Sequence, residues 1–300
     1  MASVNSNHQN RFDRGISSML IGLCSNVLLA AVKITAGILG NSNALIADGI
    51  ESTMDIFSSV VVLGGIKISS LPADESHPYG HGKAESLAAM IASVALLTAG
   101  IGIAVKSIID IPHPHHVPAK FTLIILIGVI AIKETLFRFL FFVGKSVNSL
   151  SIKTAAWDHR SDALTSIAAF IGISIAIIGG KGYESADDWA ALAASGIIAF
   201  NGINLLRNAI QEIMDIACSP ETENAIRDIA GGVQGVVAIE KCRVRKSGLN
   251  LFVDIHVEVN GDMQVHKAHA IAHEVKDALV TSSLGIADVL VHIEPAQNPR

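Results

Sequence analysis

Charge is scarce in this chain. Only 16% of its 300 residues are Asp, Glu, Lys or Arg, half are apolar, and the mean hydropathy is +0.49. That balance argues against an ordinary soluble globular protein and points to membrane spans. Clusters of Lys and Arg interleaved with aromatics are missing, and the net charge is −5, so no nucleic-acid partner is expected. Cysteine is nearly absent: Cys24, Cys218 and Cys242 are odd in number, far apart and form no CxxC. They suit small buried hydrophobes, not a disulfide framework or a thiolate zinc site. No GxxxxGK[ST] stretch is present for a nucleotide phosphate, and no HExxH or other hydrolytic arrangement, so ATP-driven pumping and hydrolysis both lack their parts. No organic cofactor is expected.

What the chain has in abundance is long apolar blocks. They gather before about Gln211, whereas charges recur every few residues after Asp215, so a membrane part and a soluble tail are expected. Six stretches reach the roughly 20 residues that a hydrocarbon core demands, at 15–39, 44–69, 86–109, 121–143, 153–178 and 186–211. The first follows Arg11 and Arg14, is too long for a signal-peptide core and lacks a small-residue cleavage site, so it reads as a retained span. The expected division is an N-terminal segment at 1–14, a transport domain at 15–212 and a soluble domain at 213–300. Arg11, Arg14, Lys67, Lys83, Arg138, Lys145, Lys153 and Arg207 fall on one side of the spans, against Lys106, Lys120 and Lys181 on the other. The excess predicts that both termini are cytoplasmic. Small residues such as Gly37 and Gly40 suit close helix packing.

The tail reads as a small α+β unit. Helical character at 220–229 and 267–280 alternates with strand patterns at 236–245, 251–259 and 288–294, the first two strands joined by Lys246-Ser247-Gly248. In the second strand Leu251, Val253, Ile255, Val257 and Val259 form one face and Asp254, His256 and Glu258 the other. A sheet with one covered and one wet face follows.

The second and fifth spans are each weakened by acids near one end. Glu51 and Asp55 are one helical turn apart, as are Asp158 and Asp162, so each pair shares a helix face. An ionised Asp near the centre of a span costs about 2.5–3.5 kcal/mol on the insertion scale, and a like charge one turn away adds to it. Arg160 points off the face of the two aspartates, and Lys133 and Glu134 in the fourth span can pair with each other or with Arg138, so the local cation supply is expected to fall short. A dication among four carboxylates offsets their repulsion, and without it some of them are expected to hold protons. Metal and protons then displace one another, the linkage an exchanger requires.

The runs Ala44-Leu45-Ile46-Ala47-Asp48-Gly49-Ile50-Glu51-Ser52-Thr53-Met54-Asp55 and Trp157-Asp158-His159-Arg160-Ser161-Asp162 resemble the cation diffusion facilitator family of divalent metal/proton antiporters. So does the segment from Pro72-Ala73-Asp74 through His77-Pro78-Tyr79-Gly80-His81-Gly82-Lys83-Ala84-Glu85, and the likeness spans nearly the whole chain. The resemblance implies six transmembrane helices followed by a small cytoplasmic ferredoxin-like domain, αββαβ and metallochaperone-like, which dimerises and binds regulatory metal. It places Glu51, Asp55, Asp158 and Asp162 at the four positions of a tetrahedral transport site. Zinc-selective members often carry His at the position of Asp158, and many members carry His or Asp where this chain has Glu51. An all-oxygen set is harder and favours Mn(II) or Fe(II) over Zn(II). His159 lies about 100° round the helix from its neighbours and reads as a bystander.

The resemblance also implies a loop metal site at Asp74, His77 and His81, and a Lys83 that pairs across a dimer interlock with Asp215. In the tail it implies a metal site at His256, His292 and Glu294 with His269, and with Glu240 where some members have His. His113, His115 and His116 can gather metal or form a solvated loop; His266 and His273 have no assignment. The expected protein is a homodimeric exporter in the cytoplasmic (inner) membrane, with metal ion and proton as substrates. The competing readings are a membrane metalloenzyme and a membrane-anchored metal sensor or scaffold without transport.

Overall fold

Inside hydrocarbon every backbone N–H and C=O must find a partner within the protein, and a helix satisfies them within one segment. The computed structural model describes residues 2–112, 117–146, 150–180, 182–248 and 250–296. It contains six long helices: α1 (Ala2–Leu39), α2 (Asn43–Ser69), α3 (Lys83–Asp110), α4 (Phe121–Ser146), α5 (Leu150–Gly179) and α6 (Ala186–Ile213). Among the described residues, Leu20–Leu39 of α1, all of α2, α3 and α6, and Ala155–Gly179 of α5 are long and apolar enough to cross a membrane. In α4 the apolar run is interrupted by Lys133, Glu134 and Arg138. Lys133 is wholly buried, and Glu134 pairs with Arg138 at 2.8 Å; α4 has the length of a span without its unbroken apolar run.

The bundle is inverted relative to a soluble protein. Leu28, Leu39, Val60, Ile124, Phe142 and Phe200 stand exposed, while Ser42, Ser52, Ser93, Ser166 and Ser195 are buried; the apolar outer face is what lipid requires. The chain forms two compact units, Met1–Val60 with Ile91–Leu205, and Val61–Met90 with Leu206–Arg300.

In the first unit α1 and α2 approach until backbone meets side chain. A Cβ on Gly49 would lie 2.7 Å from Ile34 Cγ1 and 3.0 Å from its amide nitrogen, and one on Gly37 would lie 2.9 Å from the amide of Ile46. Asp187 at the start of α6 accepts from Ser42 Oγ at 2.7 Å and from the Asn43 and Ala44 amides at 2.5 and 3.3 Å, satisfying the free N–H groups that open α2. Leu45, Leu126, Ile173 and Ile198 share the core around this junction.

In the second unit the tail follows as α7 (Pro220–Gly231), β1 (Ala238–Ser247), β2 (Asn250–Val259), α8 (Val265–Val280) and β3 (Ile286–Pro295). The Ser219 side chain accepts from the Thr222 amide, and Pro220 opens α7, as a capped helix start requires. The sheet order is β1-β2-β3, with β1 antiparallel and β3 parallel to β2. Val253, Ile255 and Val257 pack under Ile226 of α7 and under Ala268, Ile271, Val275 and Leu279 of α8. Both helices therefore cover one face, and His256 and Glu258 line the other with His292 and Glu294 in register beside them. A register shift between Ile239 and Lys241 leaves Glu240 as an extra residue facing His256, the re-aiming a β-bulge produces.

The 61–90 segment belongs to this unit and is fixed to the sheet. The Arg245 guanidinium lies 5.0 Å from the ring centre of Tyr79 and 5.5 Å from that of Phe252. Gly82 abuts Ser247 so closely that an added Cβ would lie 2.5 Å from the Ser247 carbonyl oxygen.

Candidate metal centre

The four membrane acids come from two helices that face one another. Glu51 is the most buried, Asp55 and Asp162 are half-buried and Asp158 is exposed. Glu51 lies within electrostatic range of Asp55 and Asp162, and Asp55 of Asp158 and Asp162, so the two pairs feel one another's charge. They are not drawn tight. Among the described residues the groups of three or more donor atoms that gather within 4.8 Å lie elsewhere, in the loop and the tail. Two features explain the open arrangement and what it offers. Asp162 Oδ2 accepts from Lys133 Nζ at 2.5 Å, and the same ammonium donates to Asn26 Oδ1 at 2.8 Å. Glu51 Oε2, in contrast, is buried without a hydrogen-bond partner among the described residues, a costly state for a carboxylate oxygen unless another species supplies the countercharge.

Of the four acids, Asp162 has a cation that was not expected. Lys133 pairs with neither Glu134 nor Arg138 but with Asp162, and Lys33, also wholly buried, donates to Asp48 at 2.9 Å and Ser52 at 3.1 Å. Ser166 of α5 donates to the same Asp48 carboxylate at 2.8 Å. A second charged network therefore ties α1, α2 and α5 together one turn from Glu51. The signal was partly available, since Lys33 stands alone in an apolar run, but Lys133 is followed by Glu134, and neither lysine's partner is close in sequence. Arg160 packs over Phe137 and Trp157, at 4.7 and 5.5 Å from the ring centres. His159 is buried against Gly22 with Nδ1 unpartnered.

In the loop after α2, His77 Nδ1 lies 3.1 Å from Asp74 Oδ1 and His81 Nε2 lies 3.4 Å from Asp74 Oδ2. The backbone N–H of His77, followed by its side chain and the neighbouring imidazoles, holds the Asp74 carboxyl below the usual aspartate range. These three donors fall within one ion's reach. Lys83 donates to Asp215 at 2.5 Å and to the Glu212 carbonyl at 3.0 Å. The pair closes within the chain, and it also answers the free carbonyls at the end of α6.

On the wet face of the tail sheet, His256, His292 and Glu294 converge. Glu294 Oε1 is 2.7 Å from His256 Nδ1 and 3.4 Å from His292 Nε2, and Glu240 Oε2 is 3.5 Å from His256 Nδ1. A hydrogen bond shared with Glu240, and then one with His256, holds the Glu294 carboxyl below the usual glutamate range. His269 does not join this set within one chain. It lies on α8, which covers the opposite face of the sheet, and its Nε2 sits 3.1 Å from His273 Nε2. His113, His115 and His116 lie outside the described residues.

Spanning helices that carry buried carboxylates, joined to an α+β tail bearing a His/Glu cluster, are the parts that a membrane transporter of metal cations requires. The cation efflux transmembrane domain matches residues 19–214, and the cation efflux protein cytoplasmic domain matches residues 218–296; the chain belongs to this cation efflux family, the cation diffusion facilitators. It is 32% identical to the manganese efflux system protein MneP of Bacillus subtilis (strain 168), over 92% of this chain and 94% of that one. It is also 32% identical to metal tolerance protein 2 of Oryza sativa subsp. japonica, over 92% and 77%. To the manganese efflux system protein MneS of Bacillus subtilis (strain 168) it is 30% identical, over 95% and 97%.

Proposed function

We propose that this protein exports a divalent transition-metal ion from the cytoplasm in exchange for protons, with Mn(II) or Fe(II) preferred over Zn(II). Glu51, Asp55, Asp158 and Asp162 are the transport ligands. The observation that carries this reading is the buried, unpartnered Glu51 Oε2 among three further carboxylates. An oxygen in that position is stabilised by a dication or by a proton, and the two compete for the same lone pairs. The exposure of Asp158 against the burial of Glu51 gives the ion a graded path inward. An all-oxygen ligand set disfavours the softer zinc relative to a set with imidazole, and two relatives are manganese efflux proteins by name.

Lys and Arg placement supports cytoplasmic termini in the inner membrane. The Asp74/His77/His81 and His256/His292/Glu294 groups, the latter with Glu240, are accessory metal sites, and the tail serves a homodimer. Flux of Mn(II), Fe(II), Zn(II), Co(II) and Cd(II) into proteoliposomes, with and without a pH gradient, tests the proposal. The expected result is gradient-dependent Mn(II) or Fe(II) flux that Asp55→Ala and Asp162→Ala abolish. Flux indifferent to both substitutions overturns the site, and no flux of any metal by the wild type favours an anchored sensor.

A further inference from the structure

Lys133 occupies a position that the transport reading leaves unused. Its side chain is wholly covered, and its Nζ reaches Asp162 Oδ2 at 2.5 Å and Asn26 Oδ1 at 2.8 Å. Its sequence neighbour Glu134 is engaged with Arg138 and does not compete for it. Asp55 and Asp158 also lie within its electrostatic range. The ammonium therefore touches one of the four proposed ligands and acts through its charge on two more. A Lys ammonium is a compact point charge on a flexible stem, and an oxygen lone pair that accepts its N–H is not free to bind a metal ion.

We infer that Lys133 is a tethered counter-cation of the transport site, which holds Asp162 while the site is empty and is displaced from it by the incoming dication. This rests on the assignment of Asp162 as a ligand. Two consequences follow from charge alone. The tether gives the ammonium a high effective concentration at Asp162, so it lowers the apparent affinity for metal and returns to push the ion off. A monovalent ion offers Asp162 no more charge than the ammonium already supplies, whereas a dication offers twice as much. Lys133 thereby selects divalent ions against Na⁺ and K⁺. Asn26 Oδ1 keeps hold of the ammonium when it swings aside, which makes Lys133 a positioning and specificity residue.

The test is equilibrium Mn(II) binding and proteoliposome flux for the full chain and for Lys133→Met and Lys133→Arg. Lys133→Met is expected to bind Mn(II) on the order of tenfold more tightly, with KM and maximal rate both lower because release slows. Lys133→Arg, which keeps the charge, is expected to restore much of the wild-type KM. Replacing choline by K⁺ at constant ionic strength should leave Mn(II) binding to the wild type unchanged and weaken it in Lys133→Met. A folded Lys133→Met with unchanged or weaker Mn(II) binding overturns the inference. So does competition by K⁺ in the wild type, a measurement that needs no variant. Glu51→Gln/Asp55→Asn serves as the reference: if it still binds Mn(II) as the wild type does, the site assignment itself fails.

Discussion

Breaking a sealed ion pair leaves one charge uncompensated, at a cost of about 3–5 kcal/mol. Lys33 and Asp48 form such a pair, 2.9 Å apart with side chains 0% and 2% exposed. Asp48→Ala is expected to destabilise the protein by about 3 kcal/mol or more, and the double change Lys33→Met/Asp48→Leu to recover most of the loss. Thermal denaturation of the detergent-solubilised protein measures both. Glycine gives a second contrast at the same scale. The Cβ of Gly49→Ala would meet Ile34 and Lys33, at 2.7 and 3.2 Å, which costs about 1–3 kcal/mol by overpacking. Gly128→Ala faces open space and is expected to stabilise by up to about 1 kcal/mol through helix propensity. Lys33 could be seen in the sequence as an isolated cation in an apolar run, and Lys133 as one charge of a group with Glu134 and Arg138. Their partners could not, because the contacts join residues 15 and 29 positions apart on different helices, and no periodicity encodes which helix faces which.

Elements of the tail followed their sequence patterns closely, for a physical reason. Alternation with period two fixes which face of a strand is buried, so Val253, Ile255 and Val257 against His256 could be assigned without knowing the partner strands. The bulge at Glu240 had no such signature, since it depends on register with β2. The place of His269 was hidden too: its helix was legible, but the face of the sheet that α8 covers was not. The lowered Glu294 carboxyl sets a pH dependence. Between its folded value and the ordinary 4.5, the unfolded tail binds a proton that the folded tail does not, so stability rises with pH across that window. The contribution is complete above the ordinary glutamate range and is lost as pH falls through the folded value. Urea unfolding of the tail, followed between about pH 3 and 6, is expected to show a shallower acid-side loss for Glu294→Gln than for the wild type.

At the scale of the whole molecule, long membrane helices and a small α+β tail were readable because a bilayer imposes length and apolarity on every helix that crosses it. The two interiors share no residue: one gathers Leu45, Leu126 and Ile173, the other Ile226, Ile255 and Val275. Separate cores predict separate cooperative transitions. Ile255→Ala is expected to cost about 2–5 kcal/mol in the transition that belongs to the tail and to leave the other in place, which differential scanning calorimetry of the full chain would resolve.

The guanidinium of Arg245, stacked against Tyr79 and Phe252, works with the Lys83–Asp215 and Lys246–Glu212 pairs at 2.5 and 2.7 Å. Together they bind the loop that precedes α3 and the end of α6 to the strands, and the start of α3 to the segment after α6. A hinge-like linker would let the strands flex without those segments noticing. Here a bend in the sheet would pull on both.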